Sequence, residues 1–272
     1  MLGLGWNTEH ITHKEEDMGE VAGRVVIVVG ASGGIGRIIS REFHNEGATV
    51  VLVARKVPKL EELANQLGNK RTKVIPTDAS VPADVERLFA ETVKMFGKVD
   101  AVVISTGNWS PVSIDTDLKE AVEQAEQDFR AHFLTVYTVG LCAQRFFRKQ
   151  SFGGLIVNIS SHVADRANLV GNLSYGSAKA AASRFLNGIR FEIFNETNRI
   201  RHDEESDTFV PRIRVTEIKP AIVNTHDNKH LLPTKEMRDL AVQPEEISGW
   251  IIKHFNDVKL PVCKSFTSEV TV

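Results

Sequence analysis

The chain has 272 residues, 42% of them hydrophobic and 25% charged, the balance of a globular protein with a buried core rather than of a disordered one. Its 33 basic and 35 acidic side chains leave a formal charge of −2, so no basic surplus points to nucleic acid or to an anionic membrane. Only two cysteines occur, Cys142 and Cys263, without the spacing of a zinc clip or a redox pair, and they read as free thiols in a reducing compartment.

Residues 1–19 form a polar extension carrying charges and histidines, with no apolar signal core, and no run of 18 apolar residues follows. The expectation is a soluble cytoplasmic protein with no membrane partner.

Arg24–Val29 is a continuous β-branched run, the pattern of a parallel strand buried on both faces. A helix over Gly34–Asn45, then Gly47 and a strand over Thr49–Ala54, complete a βαβ unit. Further strands are predicted at Lys73–Ile75, Ala101–Ile104, Leu155–Ile159 and Arg214–Ile218, with a last one near 264–271. Helices are predicted near 58–68, 82–96, 118–149 and 175–196. The alternation predicts an α/β fold: a single doubly wound Rossmann-type domain over residues 20–272, its parallel sheet flanked by helices on both faces. Active groups should then gather beyond the C-terminal ends of the strands. The polar, acidic stretch 198–211, with Asp203, Glu204, Glu205 and Asp207, reads as a surface insertion.

Gly30-Ala-Ser-Gly-Gly34-Ile-Gly36 joins the first strand to the first helix. Glycines there permit a tight turn and let a pyrophosphate approach the helix N-terminus. The second strand ends Val53-Ala54-Arg55-Lys56 and lacks the acid that would hold a ribose 2′-hydroxyl. Arg55, with Lys56 beside it, instead offers a charged fork to a 2′-phosphate, so the expected cofactor is NADP(H); the competing reading is two solvated loop cations. Asp78, after the third strand, can accept from an adenine amino group, although a helix N-cap role for Asp78 or Ser80 fits the spacing as well.

Tyr175-Gly-Ser-Ala-Lys179 places a phenol and an ammonium on one helix face. A nearby ammonium favours the phenolate and draws a phenol toward use as a general acid/base. Upstream, Val157-Asn-Ile-Ser-Ser161 puts hydroxyls at a strand end, where one can donate to a substrate carbonyl.

Together these motifs resemble the short-chain dehydrogenase/reductase family: Gly30-x-x-x-Gly34-Ile-Gly36, Asp78, Ile-Val-Asn-Ile-Ser-Ser161, Tyr175-x-x-x-Lys179, and Arg214-Val through Pro220 to Thr225. The resemblance implies a catalytic group of Ser161, Tyr175 and Lys179, with Tyr175 as proton donor, Lys179 on the nicotinamide ribose and Ser161 orienting the reacting oxygen. It further implies cofactor contacts from Gly30, Ser32, Gly33, Gly34, Ile35, Gly36, Arg55, Asp78, Ala79, Gly107, Tyr175, Lys179, Pro220, Ile222, Val223 and Thr225. Residues 226–243 then correspond to a mobile substrate loop, and the long central helices to a homodimer or homotetramer interface.

Several positions depart from the family. No asparagine lies between Asn108 and Asn158, where many members hold a water that links the lysine to solvent. Ile104-Ser-Thr-Gly107 replaces Asn-Asn-Ala-Gly, and Val29 replaces a threonine, so the contact between these segments is expected to be apolar. The usual serine position is His162; Ser161 is preferred with a one-residue loop insertion, and His162 as carbonyl ligand or proton donor is the alternative. Pro220-Ala221 replaces Pro-Gly. Trp109 flanks either the nicotinamide and substrate or only its own loop, and His226 and His230 lack a third partner for a metal. Phe129, Phe133, Val136, Tyr137, Phe146 and Phe147 form a stripe that reads as core or subunit packing.

The leading expectation is an NADP(H)-dependent enzyme acting on a small carbonyl or alcohol substrate. A catalytically weak cofactor-binding sensor is the second reading, and an epimerase or dehydratase using transient oxidation the third.

Overall fold

In the computed structural model, which describes residues 20–167, 169–201, 213–257 and 263–266, strand β1 (Val25–Val29) is buried along its whole length. Its alternation divides a continuous apolar run between two cores: Val26 and Val28 face one, Ile27 and Val29 the other. Only a strand covered by helices on both sides can bury every residue this way.

The first core lies under α1 (Gly34–Asn45), α2 (Val57–Leu67) and α8 (Pro244–Lys253), with Ile39, Phe43, Leu60, Leu63, Ile247 and Ile251 buried in it. The second lies under α3 (Pro82–Phe96), α5 (Thr135–Phe147) and α6 (Leu173–Arg201), with Leu88, Phe89, Val136, Phe147 and Leu186 at its centre. Phe43, Phe89 and Phe147 are among the largest fully buried side chains, and each buried ring of this size is worth roughly 1.5–3 kcal/mol.

β1, β2 (Thr49–Val53), β3 (Thr72–Val74), β4 (Ala101–Ile104), β5 (Gly154–Ile159), β6 (Ile213–Pro220) and β7 (Cys263–Phe266) form one sheet in the order β3-β2-β1-β4-β5-β6-β7. All six pairings are parallel. The order reverses between β1 and β4, which opens the crevice where a doubly wound sheet receives its ligand. Val29 pairs with Ile104 in register and both are buried, so the expected apolar contact between these segments is present.

The predicted helix 118–149 is two helices, α4 (Leu118–Asp128) and α5, joined by a π-helical stretch over Phe129–Leu134. Thr135 marks the widened turn: its amide bonds the carbonyl of Arg130, five residues back, and its hydroxyl donates to the same oxygen at 3.2 Å. The helix predicted at 175–196 runs further, so residues 198–201 of the expected insertion are helical, and 202–211 lie outside the described residues. The expected polar extension 1–19 and the end of the last predicted strand, 267–271, also lie outside them. The small α7 (Lys235–Leu240) sits in the segment between β6 and α8.

Gly30 carries the turn out of β1 at φ +91°, and a Cβ there would stand 2.1 Å from the Ser105 carbonyl oxygen. Gly30→Ala therefore combines backbone strain with a main-chain clash, and its expected cost is at least about 2 kcal/mol, read as a fall in thermal or denaturant midpoint.

Candidate active site

The crevice begins at the turn into α1. Gly34 is bare of side chain because Thr225 packs on it: a Cβ there would lie 2.5 Å from Thr225 Cβ. The Gly34 amide donates to Asp227 Oδ2 at 3.0 Å. A carboxylate on this amide shows that the α1 N-terminus is shaped for an anion, since its amides and the helix dipole both favour negative charge. At this turn the loop after β6 folds over the α1 N-terminus, with Thr225 on Gly34 and Asp227 on its amide.

At the adenosine end, Arg55 and Lys56 are exposed beyond β2. Asp78 Oδ1 accepts from the Ser80 amide at 3.0 Å and the Ser80 hydroxyl at 2.7 Å, a tight turn before α3. The N-cap of α3 is Val81, so neither Asp78 nor Ser80 takes the capping role that spacing allowed. Burial works to raise the Asp78 pKa, but the Ser80 hydrogen bonds and the charges of Arg55 and Arg130 outweigh it and hold the carboxyl below its ordinary value. Arg130 reaches the same turn, donating to Ser80 Oγ at 3.0 Å.

The chemical end is assembled where β5 and β6 finish. Tyr175 and Lys179 stand one turn apart near the start of α6. Lys179 is 4% exposed and its Nζ donates to the Ile159 carbonyl at 3.0 Å, which places the ammonium under the last residue of β5. Burial depresses its pKa to about 8, against the charges of Glu217 and Asp128, which raise it. Tyr175 is held up to about 12, by burial first and by Asp128, while a hydrogen bond with Ser161 works in the other direction.

That direction is opposite to the lowering expected from the nearby Lys179 ammonium. The ammonium sits 5.7 Å from the Tyr175 ring centroid and is committed to a main-chain carbonyl, so desolvation of the phenolate dominates.

Ser161, not His162, meets Tyr175. The Ser161 hydroxyl caps the 3₁₀ turn His162–Ala164, accepting from the Val163 amide at 3.4 Å. His162 points away to Pro220, Nδ1 lying 3.2 Å from that carbonyl, where it ties the end of β5 to the end of β6. Trp109 stacks on His230, with centroids 6.5 Å apart and planes at 13°, and its indole nitrogen is buried without a partner. Gly30, Ser32, Gly33, Ile35 and Gly36 line the first turn, Ala79 is buried beside Asp78, and Pro220, Ile222 and Val223 lead from β6 toward Thr225.

The residue that sequence reasoning missed is His132. It lies in the π-helical stretch, is 1% exposed, and sets its ring edge to face against Tyr175 at 4.8 Å and 88°. Its Nε2 lies 3.1 Å from the Asn108 carbonyl. Gly107, at φ +95°, leaves the room: a Cβ there would fall 1.8 Å from the imidazole Cε1. The available signal was the glycine at 107 together with a histidine within a helical pattern, but one inserted residue in the π turn shifts the spacing.

Further polar groups brace the lysine. Glu217, 2% exposed, accepts from Ser183 Oγ at 2.6 Å and Asn158 Nδ2 at 3.3 Å, and lies 3.5 Å from Lys219, which bridges to Asp165 at 2.7 Å.

A doubly wound parallel sheet whose switch-point crevice carries a half-buried Tyr175 with buried Ser161 and Lys179 defines a nucleotide-dependent α/β enzyme class. The short-chain dehydrogenase family model matches residues 24–236, and the chain belongs to that family of oxidoreductases. It is 27% identical over 240 residues to an uncharacterised oxidoreductase of Staphylococcus aureus, covering 86% of this chain and 94% of the relative. It is 30% identical over 208 residues to 11-beta-hydroxysteroid dehydrogenase-like 3 of Arabidopsis thaliana, covering 75% of this chain and 60% of that one. Among solved structures it matches a short-chain dehydrogenase of Mycobacterium smegmatis at TM-score 0.73 and 23% identity, covering 92% and 94% of the two chains. A 7 alpha-hydroxysteroid dehydrogenase solved with NADH and 7-oxo glycochenodeoxycholic acid matches at TM-score 0.73 and 21% identity, over 91% and 93%. Among the described residues no helix is long and apolar enough to cross a membrane.

The imidazole of His132, pushed by burial and by the charge of Lys179 to about 3, against an ordinary 6.5, gives a pH signature. Below 6.5 the unfolded chain takes a proton there that the folded one refuses, so stability is expected to fall as pH drops from 6.5 toward 3. His132→Asn should flatten that acid limb in denaturant titrations at fixed pH; an unchanged slope would show that the imidazole titrates normally.

Proposed function

We propose that the protein is an NADP(H)-dependent oxidoreductase that exchanges hydride with a carbonyl or alcohol substrate, Tyr175 serving as general acid/base. The observation that carries this reading is the convergence of Ser161, Tyr175 and buried Lys179 at the strand ends, one crevice away from an anion-ready helix N-terminus.

The main-chain amides of the Gly30–Gly36 turn would hold the pyrophosphate, in the place of the Asp227 carboxylate on Gly34, and Thr225 would close over it. Arg55 would meet the 2′-phosphate: no acid follows β2, and the arginine already acts electrostatically on Asp78 in the adenosine corner. When bound, the cofactor supplies the hydride. The remaining work belongs to this chain. Ser161 Oγ donates to the reacting oxygen, which fixes its direction and stabilises developing negative charge. Tyr175 Oη passes its proton to that oxygen in reduction and takes it back in oxidation. The Lys179 ammonium favours the phenolate and the ribose hydroxyls while it remains charged.

Residues 20–272 act in this reading as one catalytic domain in the cytoplasm, with 226–243 as the substrate loop. The Trp109–His230 stack supports that assignment by joining this loop to the segment after β4 at the mouth of the crevice. An aromatic ladder on the outer side of α5, Phe129–Phe133–Tyr137–Phe185 with successive centroids 6.2, 5.7 and 4.6 Å apart, supports a homodimer or homotetramer packed through α5 and α6. Phe129 and Tyr137 are 37% and 41% exposed, more than such rings keep in a settled interior.

Three expected outcomes follow from this site. In a fluorescence titration, NADPH should bind more tightly than NADH, and Arg55→Ala should weaken NADPH about 10-fold or more while leaving NADH nearly unchanged; a preference for NADH would overturn the cofactor assignment. Against a panel of aldehydes, linear ketones and polycyclic ketones, Tyr175→Phe should lower kcat at least 10²-fold with NADPH affinity retained. Turnover should also decline above pH about 8, where the depressed Lys179 loses its charge.

A further inference from the structure

The geometry points to His132 as a positioning residue of the proton-transfer site: an imidazole clamp that fixes the Tyr175 ring against the main chain of the loop after β4. This rests on the oxidoreductase reading above and assigns a function to a residue outside the Ser–Tyr–Lys group.

A buried histidine is most often a core residue with both ring nitrogens satisfied, and His132 is not. Its Nε2 faces the Asn108 carbonyl, which can only accept, so the neutral ring carries its hydrogen there and leaves Nδ1 as a bare acceptor. Nδ1 is buried with no hydrogen-bond partner. The Thr106 carbonyl lies near enough to favour protonation, yet makes no well-formed bond to either nitrogen. An aliphatic side chain would fill this space without an orphaned polar atom, so packing alone does not account for an imidazole here.

The surroundings are built to keep the ring in place and uncharged. Among the described residues, the charged or titratable groups facing it are Lys179 on α6, whose charge lowers the imidazole pKa; Asp128 at the end of α4, with Oδ1 4.0 Å from Nε2; and Tyr175 itself. Asp128 is engaged elsewhere, accepting from Ser174 Oγ, the neighbour of Tyr175, and from Gln124 Nε2 at 3.0 Å, so it does not draw a proton onto the imidazole. The π turn brings His132 inward, and Thr106 Oγ1 pins that turn to the loop after β4 by donating to the Ala131 carbonyl at 3.0 Å. The result is a continuous tie: Asn108 carbonyl, imidazole, phenol ring. The edge-to-face contact limits the swing of the Tyr175 ring about Cα–Cβ, and with it the position of Oη, to which proton transfer is acutely sensitive.

The test uses His132→Phe, which keeps an aromatic ring against Tyr175 but loses the bond to Asn108, and His132→Asn, which keeps a donor for that carbonyl. The chain has two tyrosines, so in a Tyr137→Phe background an ultraviolet titration reports Tyr175 directly, with or without turnover. The expected result for His132→Phe is a kcat about 10²-fold lower with KM and NADPH affinity within about twofold, and a displaced Tyr175 titration. His132→Asn should recover at least part of kcat and bring the titration back toward that of the parent. If His132→Phe folds with the parent's Tyr175 titration and kcat, or His132→Asn recovers neither, the positioning role is overturned. Should the parent itself turn over no carbonyl substrate, the oxidoreductase reading fails on that result, while the Tyr175 titrations of the two variants still decide whether His132 sets the phenol.

Discussion

A lysine ammonium kept at 4% exposure beneath the end of β5 is the interaction around which the site is arranged. Removing an ammonium from water is tolerable only where fixed dipoles and opposite charges replace the lost hydration. Here the Ile159 carbonyl accepts one of its hydrogens, and Glu217 and Asp128 act on it through space. Neither carboxylate is loose: Ser183, Asn158 and Lys219 hold Glu217, and Ser174 and Gln124 hold Asp128. Burial still prevails and brings Lys179 down to about 8.

This arrangement depends on the parallel sheet. Because β4, β5 and β6 all run in one direction, the loops that follow them open on the same edge, and the Gly107–Trp109 segment, Ser161 and Pro220–Thr225 meet around one crevice. The helix faces add the rest: α6 carries Tyr175 and Lys179, and the π turn ahead of α5 carries His132. The two cores on either side pack against these elements and fix where their polar groups meet.

Most of the architecture was legible in the sequence because it rests on local periodicity. β1 reads as a doubly buried strand from its β-branched run, and the helix predicted near 82–96 is α3, which proline opens and Gly97, at φ +74°, ends. Ser161, Tyr175 and Lys179 were legible from spacing and resemblance, and they do converge. What escaped has physical causes. A π turn adds one residue and shifts the helical register, yet the sequence on both sides of it still reads as helix, so α4 and α5 read as one element and His132 as an unremarkable member of it. The raised Tyr175 pKa depends on how much water reaches the phenol, and Asp128 contributes to it from another helix; neither depth nor that proximity is written in sequence. The direction of His162, toward Pro220 rather than Tyr175, follows from a 3₁₀ turn whose geometry spacing alone does not fix.

The central claim is that this crevice moves a hydride to or from carbon while Tyr175 moves the accompanying proton. Isotope transfer tests it most directly: NADPH deuterated at C4 on either face is supplied with a carbonyl substrate, and the product alcohol is analysed for label at the former carbonyl carbon. The account predicts deuterium on that carbon from one C4 face only, with the hydroxyl proton drawn from solvent and the transfer slowed at least about 10²-fold in Tyr175→Phe. Product formed with no deuterium from either face would contradict it.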